Sequence, residues 1–123
     1  MSANTLLYHN PRCSKSRAAL ELLRARGVEP RIVAYLEETP TADELRSLTA
    51  LPGMSVRALV REGEPEYTQC GLGADSSDDE LIQAMTRHPR LIERPVFVHA
   101  GRAVIGRPPE RVLELLDGAS QTA

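Results

Sequence analysis

The feature that most constrains how this chain can fold is a change of hydrophobic pattern near its start. Residues 5–9 form a short run of strand type that ends in an Asn-Pro turn signal. Apolar residues then recur at helical spacing over residues 14–26, and a glycine follows where a helix C-cap is expected. Residues 31–36 return to strand character. A helix between two neighbouring strands predicts a parallel pair with a right-handed crossover.

The middle of the chain, about residues 41–92, reads as a run of short helices. Two capping boxes mark helix starts, one formed by Thr41 with Glu44 and the other by Ser77 with Glu80. Apolar residues follow each box at helical spacing. We therefore expect an all-helical segment here rather than further strands.

Strand character returns in the last third of the chain. Residues 96–99 and 103–105 are apolar runs separated by an Ala-Gly-Arg turn, which predicts a hairpin. Pro108 and Pro109 then open a last helix that Gly118 is expected to stop.

The order of elements is strand, helix, strand, helical run, hairpin and helix, which is typical of a thioredoxin-like protein. We predict an α/β fold with a thioredoxin/glutaredoxin-like, four-stranded mixed sheet and an all-helical insertion over about residues 41–92. The chain has 123 residues, which suits one domain spanning residues 1–123.

Composition and charge narrow the classes of function. Hydrophobic residues make up 41% and charged residues 26% of the chain, as in an ordinary soluble globular protein. The net charge of -2 gives no overall basic surface for nucleic acid. No apolar run reaches bilayer length, and the first residues lack the basic and apolar regions of a signal peptide. We expect a cytoplasmic protein that binds neither nucleic acid nor membranes.

Cys13 lies between the first turn and the start of the first helix. Free N–H groups and the positive end of the helix dipole favour an anion at that position, and a thiolate is such an anion. Ser14 and Ser16 can donate hydrogen bonds to the sulfur or to a bound oxyanion. Nearby cationic side chains should lower the pKa of the thiol further: Arg12, Lys15 and Arg17, and His9 if it is protonated. This setting favours a reactive thiol over a buried structural cysteine.

Single positions exclude two familiar cysteine motifs. A thioredoxin-type Cys-x-x-Cys pair needs a cysteine where the chain has Ser16, and a phosphatase-type Cys-x5-Arg loop needs an arginine where it has Ala19. A second thiol must therefore come from elsewhere. Cys70 could be a resolving thiol, but packing against apolar neighbours is the favoured interpretation. A structural disulfide between Cys13 and Cys70 is not expected in a reducing cytosol.

Three arginines are candidates for oxyanion binding. Arg94 precedes a proline at the entry to the hairpin, Arg107 precedes one at its exit, and Arg61 ends a short helix. If the hairpin lies beside the first strand, Arg94 and Arg107 approach the end of the sheet that carries Cys13. Guanidinium groups suit tetrahedral oxyanions because they offer paired, charge-assisted hydrogen bonds. Spacing alone does not distinguish these three as oxyanion-binding residues from the other arginines of the chain. The expected fold separately favours a cis Arg94–Pro95 bond.

Residues 8–17, Tyr-His-Asn-Pro-Arg-Cys-Ser-Lys-Ser-Arg, closely resemble the active-site segment of the glutaredoxin-coupled arsenate reductases. Further matches keep their order along nearly the whole chain and lie in residues 35–37, 56–61, 93–96 and 106–109. The resemblance implies a thioredoxin-like fold with a helical insertion. It also implies an enzyme that reduces arsenate to arsenite, with glutathione as co-substrate and glutaredoxin as partner.

The resemblance assigns roles to individual residues of this chain. Cys13 is implied as the nucleophile. The implied oxyanion-binding trio is Arg61, Arg94 and Arg107, and the supporting residues are His9, Asn10, Ser14 and Ser16. No metal or organic cofactor is expected, because the three histidines are scattered and no Cys/His cluster has metal-ligand spacing.

Two alternatives remain open from the sequence. The first is a thiol-dependent oxidoreductase of the same fold whose substrate is not arsenate. The second is a regulatory binding protein of the Spx type, although those proteins commonly use a Cys-x-x-Cys switch that Ser16 removes here.

Overall fold

The computed structural model describes residues 5–116 of the chain. The strands are β1 (Leu6–Tyr8), β2 (Arg31–Val33), β3 (Val96–His99) and β4 (Arg102–Ile105). The α-helices are α1 (Ser14–Ala25), α2 (Ala42–Thr49), α3 (Val56–Leu59), α4 (Pro65–Gln69) and α5 (Asp78–Arg87). Two 3₁₀ helices, Pro89–Leu91 and Pro109–Val112, precede β3 and follow β4, and helical backbone continues over residues 113–116.

The four strands form one mixed sheet in the order β2-β1-β3-β4. β1 pairs with β2 in parallel, and β1–β3 and β3–β4 are antiparallel pairs. The predicted parallel pair and the predicted hairpin are both confirmed, and the hairpin lies beside the first strand. The C-terminal end of β1, the start of β3 and the end of β4 therefore meet at one edge, where Tyr8 faces Val96 and Val96 faces Ile105.

The sheet separates two apolar cores because successive strand residues point to opposite faces. Leu7 of β1 and Phe97 of β3 face α1, and they pack with buried Leu23. Their neighbours Tyr8 and Val96 face the other way, toward the insertion helices. The site at the strand ends is consequently held between α1 and the insertion.

The helices of the insertion begin where their caps predict. The reciprocal hydrogen bonds of both capping boxes are present at α2 and α5. α5 packs against α2 and α3. Arg57 of α3 fastens the loop before α5, because its Nη2 donates to the carbonyl oxygens of Gly73, Ala74 and Ser76 at 2.8, 2.9 and 3.0 Å. Its Nη1 donates to the hydroxyl of buried Tyr67 at 3.1 Å.

Two element boundaries differ from the sequence-based expectations. β2 ends at Val33 instead of residue 36, because the chain turns there: Tyr35 N donates to Val33 O at 3.0 Å and Glu38 N donates to Ala34 O at 2.8 Å. The last helix starts with the 3₁₀ turn Pro109–Val112, and its expected stop at Gly118 lies outside the described residues. Within residues 5–116, no helix combines the length and the hydropathy needed to cross a membrane.

Candidate active site

The turn between β1 and α1 is built by Asn10. Its carbonyl oxygen accepts from Cys13 N at 3.0 Å, and its side-chain Oδ1 accepts from Arg12 N at 3.0 Å. Cys13 then takes extended backbone angles at the N-cap position of α1. The predicted strand–turn–helix setting of Cys13 is thus what the structure contains.

The sulfur of Cys13 is partly buried and lies over the first amides of α1. Burial alone raises the pKa of this thiol, since it disfavours the charged form. The backbone N–H groups of Ser16 and Lys15 donate to the sulfur, and the Arg94 side chain adds a hydrogen bond and a positive charge. Together these groups outweigh burial, and the pKa of Cys13 is lowered.

The cationic side chains next to Cys13 in the sequence, which were expected to lower its pKa, lie at the surface. Arg12, Lys15 and Arg17 are exposed, and the Arg17 guanidinium donates to Pro11 O at 2.8 Å. The groups that lower the pKa of Cys13 are instead backbone amides and a guanidinium from β3's entry. Exposure explains the difference, because water screens a charge at the surface.

Arg94 and Arg107 both reach the sulfur, as the hairpin's position predicted. The Nη2 of Arg107 lies 3.9 Å from Cys13 Sγ, and its Nε donates to Arg94 O at 2.9 Å. The Nε of Arg94 is buried and has no hydrogen-bond partner among the described residues. The peptide bonds Arg94–Pro95 and Arg107–Pro108 are both cis, the first as favoured from the sequence and the second not foreseen.

Arg61 joins this group through a shared carboxylate rather than through the sulfur. Its Nε lies 3.4 Å from Glu93 Oε1, and the Nε of Arg107 lies 3.0 Å from the same oxygen. Arg61 also forms an ion pair with Glu64 at 3.3 Å. The structure therefore brings Arg94 and Arg107 to Cys13, whereas Arg61 is linked to them only through the Glu93 carboxylate.

Glu93 is the site residue that sequence reasoning missed. Besides its two guanidinium partners, its Oε1 accepts from Arg94 N at 3.1 Å, so one oxygen orders the backbone or side chains of all three arginines. Its place directly before Arg94 and Pro95, inside a segment that carries the family resemblance, is the signal that points to it.

His9 and Ser16 form a buried pair under the turn. His9 Nδ1 lies 2.6 Å from Ser16 Oγ, and Ser16 Oγ also accepts from Asn10 N at 3.0 Å. Burial lowers the pKa of His9, and Arg24 and Arg17 lower it further, so the neutral imidazole is favoured over the protonated form. His9 is not among the groups that lower the pKa of Cys13, and its hydrogen bond to Ser16 fixes the turn. Ser14 is exposed at the first position of α1.

Replacing Ser16 by alanine should lower the free energy of unfolding by about 1–3 kcal/mol, because His9 Nδ1 and Asn10 N would lose their shared partner at a buried position. Urea titration monitored by circular dichroism measures this change. Ser14→Ala, an exposed change on the same helix, is the matched control and should stay within about 0.5 kcal/mol of the parent. Equal effects of the two variants would contradict the buried role of Ser16.

The lowered pKa of Cys13 predicts a shifted pH profile of alkylation. Only the thiolate reacts, so the iodoacetamide rate should reach its plateau at a lower pH than for free glutathione and should fall as the pH drops through the Cys13 pKa. The measurement uses the Cys70→Ser chain, so that one thiol remains. Unfolding in guanidinium chloride removes the amides and Arg94, and should move the profile up to that of an ordinary thiol. Identical folded and unfolded profiles would count against the site.

Cys70 corrects one expectation. It is exposed at the C-terminal end of α4 rather than packed against apolar neighbours. The reason is local, because Gly71 follows in the left-handed region and ends the helix at the surface. Cys13 and Cys70 are both free thiols.

No group of three His, Cys, Asp or Glu side chains within residues 5–116 is arranged to hold a metal ion. The site contains one thiol of lowered pKa, the amides of a helix N-terminus, two guanidinium groups at the sulfur and a third arginine linked to them by Glu93.

A mixed four-stranded sheet, a cysteine of lowered pKa at the N-cap of its first helix and a cis-proline at the entry of β3 define a thioredoxin-like protein. Comparison with known proteins makes this specific: the ArsC family model matches residues 8–115, and the chain belongs to the ArsC family. The uncharacterized protein YfgD of Escherichia coli K12 is 50% identical over 118 residues, covering 94% of this chain and 99% of YfgD.

Two further relatives bear the name of an activity. The arsenate reductase of Escherichia coli K12 is 47% identical over 122 residues, covering 98% of this chain and 86% of that protein. The solved structure of an arsenate reductase from Vibrio cholerae superposes with a TM-score of 0.85 at 47% identity, covering 89% of this chain and 95% of that one. The predicted thioredoxin-like fold is confirmed by this likeness.

Proposed function

We propose that this protein reduces arsenate to arsenite, with Cys13 as the nucleophile and glutathione and glutaredoxin as the sources of electrons. The observation that carries the proposal is the contact of one low-pKa sulfur with Arg94 and Arg107. An anionic nucleophile and its anionic substrate repel each other, and two guanidinium groups beside the sulfur offset that repulsion. The relatives named for arsenate reduction support the same substrate.

The reaction follows from these positions. Arg94 and Arg107, with Arg61 behind Glu93, hold the tetrahedral anion against Cys13 Sγ. The thiolate attacks arsenic, an S–As bond forms, and one oxygen leaves as water after protonation. A glutathione thiolate then attacks Cys13 Sγ, the S–As bond breaks, and its electron pair stays on arsenic, which leaves as arsenite. Glutaredoxin takes the glutathionyl group from the resulting mixed disulfide by thiol exchange.

The proposed cycle uses two electrons from two thiols, Cys13 and glutathione, to reduce arsenic(V) to arsenic(III), and it uses no metal or organic cofactor. Cys13 is only partly buried, which leaves glutathione a route to the sulfur. A glutathione-dependent reaction belongs in a reducing compartment, and we accordingly place the protein in the cytoplasm.

The test is a steady-state assay of the full chain with arsenate, glutathione and glutaredoxin, in which arsenite is measured directly. Turnover that requires all three supports the proposal. Omitting glutaredoxin should leave a single turnover and a Cys13–glutathione mixed disulfide, visible as a mass increase. If arsenate is not reduced while Cys13 is an intact low-pKa thiolate, the proposed activity is wrong.

A second candidate is reduction or capture of a different tetrahedral oxyanion. The observation that favours it is the 50% identity to YfgD, whose name carries no activity. The same guanidinium groups can bind other anions of tetrahedral shape. Protection of Cys13 from alkylation by a panel of oxyanions ranks the candidates, and tighter binding of another anion than arsenate would favour this second function.

A further inference from the structure

Tyr35 has a hydroxyl group that the proposed reaction does not use. Its side chain is fully buried, with 0% of its surface exposed. The hydroxyl oxygen is itself buried and has no hydrogen-bond partner among residues 5–116. Buried hydroxyl groups are nearly always paired, because leaving one unpaired costs free energy that a phenylalanine of the same shape would not. An unpaired hydroxyl at this position points to a ligand.

The position of Tyr35 places this hydroxyl at the cysteine site. Tyr35 follows the end of β2, and β2 lies beside β1, which leads into the Cys13 turn. The phenol is close enough to Cys13, Arg94 and Glu93 to interact with their charges. The Asn10 side chain approaches the phenol oxygen as a weak donor, which leaves the hydroxyl proton without an acceptor among residues 5–116. The hydroxyl therefore lies in the buried surroundings of the Cys13 site.

A second buried donor without a partner lies beside the same sulfur. The Nε of Arg94 is also buried and unpaired, while the same guanidinium donates to Cys13. Two unpaired donors, one charged and one neutral, next to a nucleophilic sulfur call for one acceptor with several oxygens. A tetrahedral oxyanion has that form.

The chemistry of the phenol suits a donor. Burial raises the pKa of Tyr35, and the negative charges of Cys13 and Glu93 add to this increase. Arg94 and the Asn10 side chain offset part of it, and the pKa is raised to about 12. The hydroxyl consequently keeps its proton at neutral pH and acts neither as a base nor as a nucleophile. Its remaining role toward an anion is to donate one hydrogen bond.

We propose that the Tyr35 hydroxyl is a further oxyanion-binding group, which donates a hydrogen bond to an oxygen of the tetrahedral anion held by Arg94 beside Cys13. This inference rests on the proposed function, since it names another contact at the same anion. The hydroxyl adds a neutral donor to the arginines, so that a directional hydrogen bond as well as charge attraction orients the anion.

The test compares Tyr35→Phe with the parent in a Cys70→Ser background. Arsenate, and separately phosphate, are titrated against the rate of Cys13 alkylation, and protection gives a dissociation constant without any turnover. Losing one hydrogen bond to a charged group should weaken arsenate binding by about tenfold. The Tm should stay equal or rise, because the variant removes an unpaired buried hydroxyl. The pH profile of alkylation without anion should stay nearly unchanged.

Tyr67→Phe is the matched control. Tyr67 is also buried, but its hydroxyl accepts from Arg57 Nη1 at 3.1 Å within the insertion. This variant should lower the Tm and leave arsenate protection as in the parent. A ligand-binding hydroxyl is thus expected to change arsenate protection but not to lower the Tm, and a structural hydroxyl is expected to do the reverse.

The outcomes distinguish this inference from the proposed function. If the parent is protected by arsenate and Tyr35→Phe is protected equally well, the Tyr35 inference is overturned and the function stands. If no oxyanion protects the parent, the proposed function fails and the inference fails with it. If Tyr35→Phe lowers the Tm as much as Tyr67→Phe does, the hydroxyl has a structural partner and the inference is again wrong.

Discussion

Replacing Cys13 by serine is expected to reduce arsenate turnover to below about one thousandth of the parent rate. A serine hydroxyl is not ionised at neutral pH, and it cannot form the mixed disulfide through which the electrons pass. Two amides and Arg94 would then surround an uncharged oxygen in place of the thiolate they stabilise. Initial rates of arsenite formation with saturating glutathione and glutaredoxin measure the loss.

Cys70→Ser is the control for this prediction, because Cys70 is an exposed free thiol on α4. Its rate should match that of the parent. Arsenate turnover by Cys13→Ser would contradict the mechanism. A loss of turnover in Cys70→Ser as large as that in Cys13→Ser would show that the second cysteine takes part in the reaction.

Replacing Arg94 by alanine is the prediction with the second largest effect. The variant loses a charge-assisted hydrogen bond to the bound anion, which should weaken arsenate binding by about 1.5–3 kcal/mol. It also loses the hydrogen bond and the charge that lower the pKa of Cys13, so this pKa should rise toward the ordinary value of a thiol. Protection titrations give the first quantity and the pH profile of alkylation gives the second.

Two controls frame the Arg94 experiment. Arg94→Lys keeps the positive charge but loses the guanidinium fork, so it should recover more of the Cys13 pKa shift than of the anion affinity. Arg87→Ala removes an exposed arginine at the end of α5 and should change neither. A Cys13 pKa that is the same in Arg94→Ala and in the parent would contradict the hydrogen bond between Arg94 and the sulfur.

Much of the fold follows from signals that are local in the sequence. Thr41 and Ser77 cap α2 and α5 where their capping boxes predict, since both partners of each box lie within one helical turn. The parallel β1–β2 pair follows from the helix between them. By contrast, the end of β2 was predicted at Leu36, because Tyr35 and Leu36 suit a strand, but the chain turns after Val33. The strand propensity of these residues does not extend β2, because its partner β1 pairs with it only as far as Tyr8 opposite Val33.

The candidate site divides in the same way. Arg94 and Arg107 were expected near Cys13 if the hairpin lay beside the first strand, and the structure places both at the sulfur. Their binding of an oxyanion, which the resemblance implies, stays a prediction. The low pKa of His9 was not foreseen, because it depends on burial and on Arg24, which is distant along the chain. Cys70 was expected to pack and is exposed, because α4 ends there at the surface, before Gly71 in the left-handed region.

The sequence by itself determined that a cysteine stands at the N-terminus of the first helix of a mixed α/β sheet. Turn residues, caps and hydrophobic period act over a few residues, so they can be read directly from the chain. Only the tertiary structure decided which charges act on that cysteine, that Glu93 ties the arginines together, and that the Tyr35 hydroxyl is buried without a partner. Hydrogen bonds and electrostatic interactions depend on distance in space, and these residues come together only when the hairpin and β2 are paired on either side of β1.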